Sequence, residues 1–448
     1  MKNKNNLITV VFGTRPEAIK LAPIIRLMRN NKKLNLRVVI TGQYKEMLNQ
    51  VIDLFNLQID LDLSIMKKNQ TLTHITNKTL NGLEKEFDSF PPSLVIVQGD
   101  TTTALAAALG SFYKKIPIAH VEAGLRTDDI YDPFPEEVNR RLISQMASLH
   151  FAPTENSYNN LKIENVPGNI FITGNTVIDA LLEISKKAKP IIIDSIDWMN
   201  KKIILTTIHR RENRGSKLLN ILKALEMIVS SNKDIQIVIP MHKNSELRSI
   251  FKNELKKVKN IFLIEALNYD ELVFALKNCY LLLTDSGGLQ EEAPTFGKPV
   301  FILRETTERD EVVQCGAAKI VGTDPENIFK SVINVLSKNE LYKTMSNAKN
   351  PFGDGNASQR ILDQCMKFLS IWNLNFYSLF FWKSLIFSIS SGYWIKTARN
   401  FPVSVNKLPA DAPMIPNSLY KDIQSLNFPA PPSTDLVRSN HLFNYQSF

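Results

Sequence analysis

The side chains of this sequence that are able to move protons or hold anions collect just after short apolar runs. Gln98-Gly99-Asp100-Thr101-Thr102-Thr103 follows the run Ser93–Gln98, and His120-Val121-Glu122-Ala123-Gly124-Leu125-Arg126 follows the next one. Pro133–Arg141 opens a helix-like segment in which Glu136 and Arg140 stand one turn apart on one face. Further on, Thr207-Ile208-His209-Arg210-Arg211-Glu212-Asn213 ends one run and Pro240-Met241-His242 ends another. Each residue has a plainer reading when taken singly: Glu136–Arg140 as a helix-surface pair, His242 as a satisfied loop histidine. As a set, carboxylates from one half and histidines from the other point to proton transfer in one shared cleft.

Two turns suit a phosphate. Ser286-Gly287-Gly288 follows the run Tyr280–Asp285 and leads into the helix-like Leu289–Phe296. Glycines there let the backbone approach a ligand, and the N–H groups and positive dipole of a helix start favour a diphosphate. Glu292, one turn further on, is placed to accept ribose hydroxyls. An ordinary strand-to-helix turn is the alternative for that stretch. The second turn is Gly13-Thr14-Arg15-Pro16-Glu17, directly after Leu7–Phe12, with Pro16 suited to a first helical turn. Arg15 and Lys20 would then point at an anion held by the opposite half.

Neither turn matches a dinucleotide fingerprint or a P-loop, and the glycines of Phe352–Ala357 follow no strand, so neither NAD nor an ATP cradle is expected. Cys279, Cys315 and Cys365 are odd in number and far apart, which argues against a disulfide framework or a zinc site and suits a reducing cytoplasm. The amino terminus runs straight into Leu7–Phe12 with no signal-peptide pattern.

Those loops need a scaffold, and the pattern supplies one. The runs Leu7–Phe12, Leu36–Thr41, Ser93–Gln98 and Ile116–Val121 read as strands separated by helical segments. The alternation restarts with Lys202–Thr207, Ile235–Pro240, Ile261–Glu265 and Tyr280–Asp285. Strands alternating with helices imply parallel βαβ units, so the expected fold is α/β, with two Rossmann-like doubly wound sheets facing across a cleft. Ligands of such sheets bind at the carboxyl ends of the strands, where the unusual residues lie. Val177–Lys201 is the expected linker. The net charge of +10 comes from scattered lysines without a basic stripe, so a polyanionic small molecule fits it and nucleic acid does not.

Residues 371–448 break from this pattern. Three of the four tryptophans (Trp372, Trp382, Trp394) lie there, followed by a proline-rich stretch after about Asn400. Asn373, Asn375 and Lys383 interrupt the aromatic run, which falls short of the roughly 20 apolar residues of a spanning helix. An irregular or foreign appendage suits it better than membrane contact.

The ordered set FGTRPEAIK (Phe12–Lys20), GDTTTALA (Gly99–Ala106), HVEAGLRT (His120–Thr127), PFPEEVNR (Pro133–Arg140) and GNTVIDAL (Gly174–Leu181) is distinctive. So are the later HRREN (His209–Asn213), LTDSGGLQEEAPTFGKPV (Leu283–Val300), RETTER (Arg304–Arg309) and NPFGDGNASQRI (Asn350–Ile361). Together they resemble the bacterial non-hydrolysing UDP-N-acetylglucosamine 2-epimerases over roughly residues 7–370. The resemblance implies a GT-B-like architecture: an N-terminal domain (1–180), a UDP-binding domain (181–350), a crossover helix (351–370) and the atypical tail (371–448). It implies reversible conversion of UDP-GlcNAc to UDP-ManNAc, by elimination of UDP to 2-acetamidoglucal and re-addition, supplying cell-surface polysaccharide synthesis.

By the same resemblance Asp100, Glu122 and Glu136 are the acid/base carboxylates. Ser286, Gly287 and Gly288 hold the diphosphate, Glu292 the ribose, and Arg15 and His209 assist the phosphates. Lys20, Arg140, His242 and Arg309 complete the substrate-binding set. No metal or redox cofactor is implied, and a cytoplasmic homodimer is expected. Gln43, Glu136, Arg210 and His242 match a second, activating UDP-GlcNAc site of many members. Tyr44 stands where a histidine is common and Asn69 where some have arginine, so weakened activation is expected. Asp310 replaces a usual proline. A GT-B glycosyltransferase would share the fold without needing the three carboxylates. A non-catalytic nucleotide-sugar sensor would be marked by a lost carboxylate, and none is lost.

Overall fold

The computed structural model describes residues 6–370, apart from 43–44, 194, 243 and the side chains of 45–47. The first half runs β1 (Leu7–Phe12), α1 (Arg15–Arg29), β2 (Asn35–Ile40), α2 (Lys45–Phe55), β3 (Leu61–Asp62), α3 (Leu72–Ser89), β4 (Leu94–Gln98) and α4 (Thr102–Tyr113). It continues with β5 (Ile118–Val121), α5 (Glu136–Met146), β6 (Leu149–Ala152), α6 (Glu155–Ile163), β7 (Asn169–Ile172) and α7 (Thr176–Ser185). The second half runs β8 (Lys202–Thr207), α8 (Ser216–Ser231), β9 (Ile235–Pro240), α9 (Ser245–Leu255), β10 (Ile261–Ile264), α10 (Tyr269–Asn278) and β11 (Leu281–Thr284). There follow α11 (Gly287–Glu292), β12 (Val300–Ile302), α12 (Asp310–Gln314), β13 (Ala318–Ile320), α13 (Pro325–Ser337) and α14 (Asn339–Ser346), then a helix over 357–370.

The strands form because their apolar, often β-branched residues are covered on both faces, as a parallel sheet sandwiched by helices requires. Every residue of β4 and of β11 is buried, and β1 is buried from Ile8 onward. Helices begin where a side chain accepts from the first turn: Thr101 from Ala104, Thr154 from Ser157, Asn175 from Val177 and Asp324 from Asn327. Such a cap is worth about 1 kcal/mol to its helix.

The result is two all-parallel sheets, seven strands in the order β3-β2-β1-β4-β5-β6-β7 and six in the order β10-β9-β8-β11-β12-β13. Both lie within one compact unit. In each, the order reverses beside the first strand of that half: between β1 and β4, and between β8 and β11. A ligand crevice opens at such a switch point, beyond the carboxyl ends of the strands. The two-sheet α/β expectation holds.

Several local expectations change. β3, β6, β7, β12 and β13, each two to four residues long, have no counterpart among the expected strands. The expected linker begins as α7, whose Val177, Ile178, Ala180, Leu181 and Ile184 are buried at helical spacing, so residue 180 lies inside a helix. This helix packs on α1 and also touches α10 and α11. Leu289–Phe296 is not one helix: α11 stops at Glu292 and a 3-10 turn spans Ala293–Phe296.

The helix over 357–370 returns to the first half. Its leading N–H groups, from Ala357 and Ser358, donate to the Asp179 carboxylate at 3.2 and 2.8 Å. Its Ile361, Leu362, Cys365 and Leu369 join the buried cluster that also holds α1 and α7. Among the described residues no helix is long and apolar enough to cross a membrane. The expectations for residues 371–448 lie outside the described residues, as do Gln43 and Tyr44.

Candidate active site

At the first switch point, Glu17 organises the β1–α1 turn from within. Its carboxylate accepts from Gly13 N (3.0 Å), Thr14 N (2.8 Å) and Thr101 Oγ1 (2.8 Å), tying that turn to the loop carrying Asp100. Burial pushes Glu17 up to about 7, against those hydrogen bonds. Lys20, on the same helix, pairs with Glu122 after β5. Glu122 holds a backbone φ of +63°, rare for a non-glycine residue and the kind of strain that concentrates at working sites. Gln98 from β4 also donates to its carboxylate, and Asn175 donates to Oε1 at 3.0 Å.

Asp100 leads into α4, and its carboxylate accepts from Arg140 at 2.5 Å while its carbonyl accepts from Asn139 at 2.8 Å. Arg140 is buried and also reaches Glu137 at 3.2 Å. The plainer reading of Glu136–Arg140 as a helix-surface pair does not hold, since Arg140 turns to Glu137 on the buried side of α5 and to Asp100 in the loop before α4. Glu136 is left half-buried at the helix start, with the charges of Asp100, Arg140 and Arg210 acting on it. His120 donates from Nε2 to Gly99 O at 2.7 Å, and burial holds its ring neutral, down at about 3.

The second switch point is built around Asp285, which is fully buried and follows β11. It accepts from His209 N (3.0 Å), Arg210 N (2.9 Å) and Asn213 Nδ2 (3.1 Å), and His209 Nδ1 lies 3.1 Å away. Burial acts to raise Asp285, but these partners, His209 first, hold it below its ordinary value. The His209 ring stacks on His242 at 6.1 Å, whose Nδ1 accepts from Asn244 N at 3.1 Å. Ser286 precedes α11 as its cap residue, and Gly287 sits against Arg309 so closely that a Cβ there would lie 2.5 Å from the guanidinium. A Cβ on Gly288 would meet nothing within 4 Å. Arg309 bonds Glu291 at 2.5 Å and Glu308 at 2.5 Å, and Glu308 also pairs with Arg304 at 2.7 Å and lies 3.7 Å from Arg210.

The two halves meet through polar groups. Asn175 Nδ2 donates to Glu291 Oε2 at 2.9 Å as well as to Glu122, and Thr154 donates to Glu311 at 2.7 Å. Lys20 feels both Glu122 and Glu291, which outweigh burial and hold it above its ordinary value. Arg15 and the buried Tyr269 act on Glu292, whose Oε2 has no hydrogen-bond partner.

Environment separates the carboxylates. Glu122 is held low, because Lys20, Arg309 and Asn175 outweigh the burial that would raise it. Asp100 is raised by burial and by Glu122 against Arg140. Glu136 is raised by burial and by Asp100. Neighbouring carboxylates pushed in opposite directions suit one proton acceptor and one proton donor. Among the described residues no three His, Cys, Asp or Glu side chains converge where a metal ion could sit.

Of the residues expected from the sequence, Lys20, Asp100, Glu122, Glu136 and Arg140 gather at the first crevice. His209, Arg210, His242, Gly287 and Arg309 gather at the second, and Arg15 and Glu292 lie between them. Glu17, Gln98, Glu137, Asn175, Asp285, Glu291 and Glu308 were not singled out. Glu17 had a visible signal, the Thr14-x-x-Glu17 capping box, which the structure contains.

The family model described as UDP-N-acetylglucosamine 2-epimerase matches residues 26–366. The UDP-N-acetylglucosamine 2-epimerase of Campylobacter jejuni is 46% identical over 373 residues, covering 80% of this chain and 97% of its own. That of Escherichia coli K12 is 47% identical over 365 residues, with 80% and 97% covered. The crystal structure of the Neisseria meningitidis enzyme bound to UDP-GlcNAc is similar at a TM-score of 0.73 and 44% identity, covering 81% of this chain and all of that one. An Anabaena protein crystallised with UDP and glucose shares the fold alone, at a TM-score of 0.54 and 13% identity.

Proposed function

The chain belongs to the UDP-N-acetylglucosamine 2-epimerase family of isomerases, and on that premise we propose that it interconverts UDP-GlcNAc and UDP-ManNAc by elimination and re-addition of UDP. The observation that carries this reading is the set Asp100, Glu122 and Glu136, whose environments drive their proton affinities apart. The C2 hydrogen of the sugar is not activated by a carbonyl, so its removal must be coupled to departure of a good leaving group. A carboxylate takes the C2 proton, the C1–O bond to the diphosphate breaks with its electron pair leaving on UDP, and C1=C2 forms in 2-acetamidoglucal. Return of UDP to C1, with a proton delivered to the opposite face of C2, gives the epimer.

Glu122, held ionised, suits the acceptor role, and Asp100 or Glu136, held protonated more readily, suits the donor. Roles exchange in the reverse direction. The start of α11 with Ser286, Gly287 and Gly288, and the cations Arg15, His209 and Arg309, stabilise the departing diphosphate, and Glu292 takes the ribose. Lys20 fixes Glu122, Arg140 fixes Asp100, and His242 backs His209. Contact between the halves excludes water, which would otherwise divert the glucal and UDP to free sugar. The reading divides the chain at about 1–180 and 181–350, with 351–370 returning to the first domain. It makes the enzyme a cytoplasmic homodimer that supplies surface-polysaccharide precursors.

Elimination requires the C2 hydrogen to exchange with solvent. In heavy water the product gains one deuterium at C2 without added NAD or metal, read by proton NMR. Changing Asp100, Glu122 or Glu136 to its amide lowers turnover by roughly 10²-fold or more while UDP still binds. Full retention of the C2 hydrogen, or wild-type turnover in all three variants, overturns the mechanism.

A further inference from the structure

The segment Gly174–Leu181 stands out in the sequence, yet none of the steps above uses it. Its Asn175 is buried, and every polar atom of that side chain is committed. Oδ1 accepts from Val177 N at 3.1 Å and so caps α7. The two hydrogens on Nδ2 serve two carboxylates, Glu122 Oε1 at 3.0 Å and Glu291 Oε2 at 2.9 Å. The backbone is held as well, since Asn175 N donates to Phe352 O at 2.6 Å. Glu122 follows β5 in the first half and Glu291 lies on α11 in the second, where it also binds Arg309.

An amide is the side chain this place demands. A carboxylate would set a third negative charge between two others, and an ammonium has no oxygen to cap α7. One donor to each carboxylate is possible only when the halves stand in this relation, because Glu291 travels with the second half and Asn175 with the first. We propose that Asn175 is a positioning residue through which the approach of the second half aligns the Glu122 carboxylate for proton transfer. The proposal rests on the assignment of Glu122 as proton acceptor. The other groups facing Glu122 are Lys20 from α1, Gln98 from β4, Asp100 from the β4–α4 loop, His120 from β5 and Arg309 from beyond β12.

The test uses the full chain and two substitutions that retain the cap of α7 while removing the bridge. Serine and aspartate are both good cap residues, but neither offers two donors. In Asn175→Ser, turnover falls about tenfold or more with KM for UDP-GlcNAc within about threefold. The acidic limb of its turnover–pH profile moves to higher pH, since an ionised Glu122 has lost a donor. In Asn175→Asp both effects are larger. Wild-type turnover and an unmoved acidic limb in Asn175→Ser overturn the proposal. So does loss of the fold in both variants, which would make the bridge from Asn175 to Glu122 and Glu291 a structural tie and nothing more. Glu122→Gln, measured alongside, separates the two readings. If it retains turnover, the acceptor assignment itself fails; if it is inactive while Asn175→Ser behaves as wild type, only the role of Asn175 fails.

Discussion

Burial gives Glu292 a proton affinity that its proposed role at the ribose makes measurable. Burial pushes its carboxyl up to about 8, Glu291 beside it adds to the shift, and Lys20 and Arg15 oppose it. With Oε2 unpartnered, the carboxyl is largely protonated at neutral pH. On the proposed assignment, accepting hydroxyls from a ribose through both oxygens requires it to lose that proton, so UDP binding is expected to release one below pH 8. Affinity for UDP then rises with pH up to about 8 and levels off above it, and the slope disappears in Glu292→Gln. Calorimetry in buffers of different ionisation enthalpy reads the released proton, and a pH-independent wild-type affinity refutes the coupling. The same shift has a stability consequence of opposite sense. Between the ordinary carboxylate range and 8 the folded state holds a proton that the unfolded state has lost, so stability contributed here falls as pH rises through that window.

The start of α11 carries two glycines with different reasons for being glycine. At Gly287 the protein itself occupies the space, since a Cβ would press on the Arg309 guanidinium and drive it from Glu291. At Gly288 the protein leaves the space open. Alanine in place of a helical glycine costs nothing in propensity and commonly gains about 0.5–1 kcal/mol. Gly288→Ala is therefore expected to fold with unchanged or slightly raised resistance to urea. Its affinity for UDP is expected to fall about tenfold or more, because the new methyl group stands where the diphosphate would meet the backbone. An unchanged UDP affinity would place the diphosphate elsewhere.

In the whole molecule, two sheets present the carboxyl ends of their strands to each other and are joined by α7 and the helix over 357–370. Ties between the elements of the two halves lie within residues 6–370, among them Asn175 with Glu291, Thr154 with Glu311, and Asp179 with Ala357 and Ser358. Truncation after Ser370 is accordingly expected to leave epimerase activity within about threefold of the full chain. A folded but inactive truncation would show that residues 371–448 support the site.

The fold class, the restart of the βα pattern in the second half, and the loops that carry the chemistry were legible in the sequence. Burial on both faces writes continuous apolar runs, helices write their period, and the loops follow directly at the strand ends. The partners of the loop side chains were not legible. Arg140 has Glu136 one turn away in the sequence, and only the packing of α5 shows that it bonds Glu137 and Asp100 instead. Asn175 and Glu291 lie 116 residues apart, and nothing local to either announces the other. Proton affinities were equally hidden, since Glu122, Asp100 and Glu292 are chemically alike in a sequence and differ only in what buries them. Periodicity is a property of neighbours along the chain. Ion pairing and desolvation depend on distances in space, which exist only once the two sheets have come together.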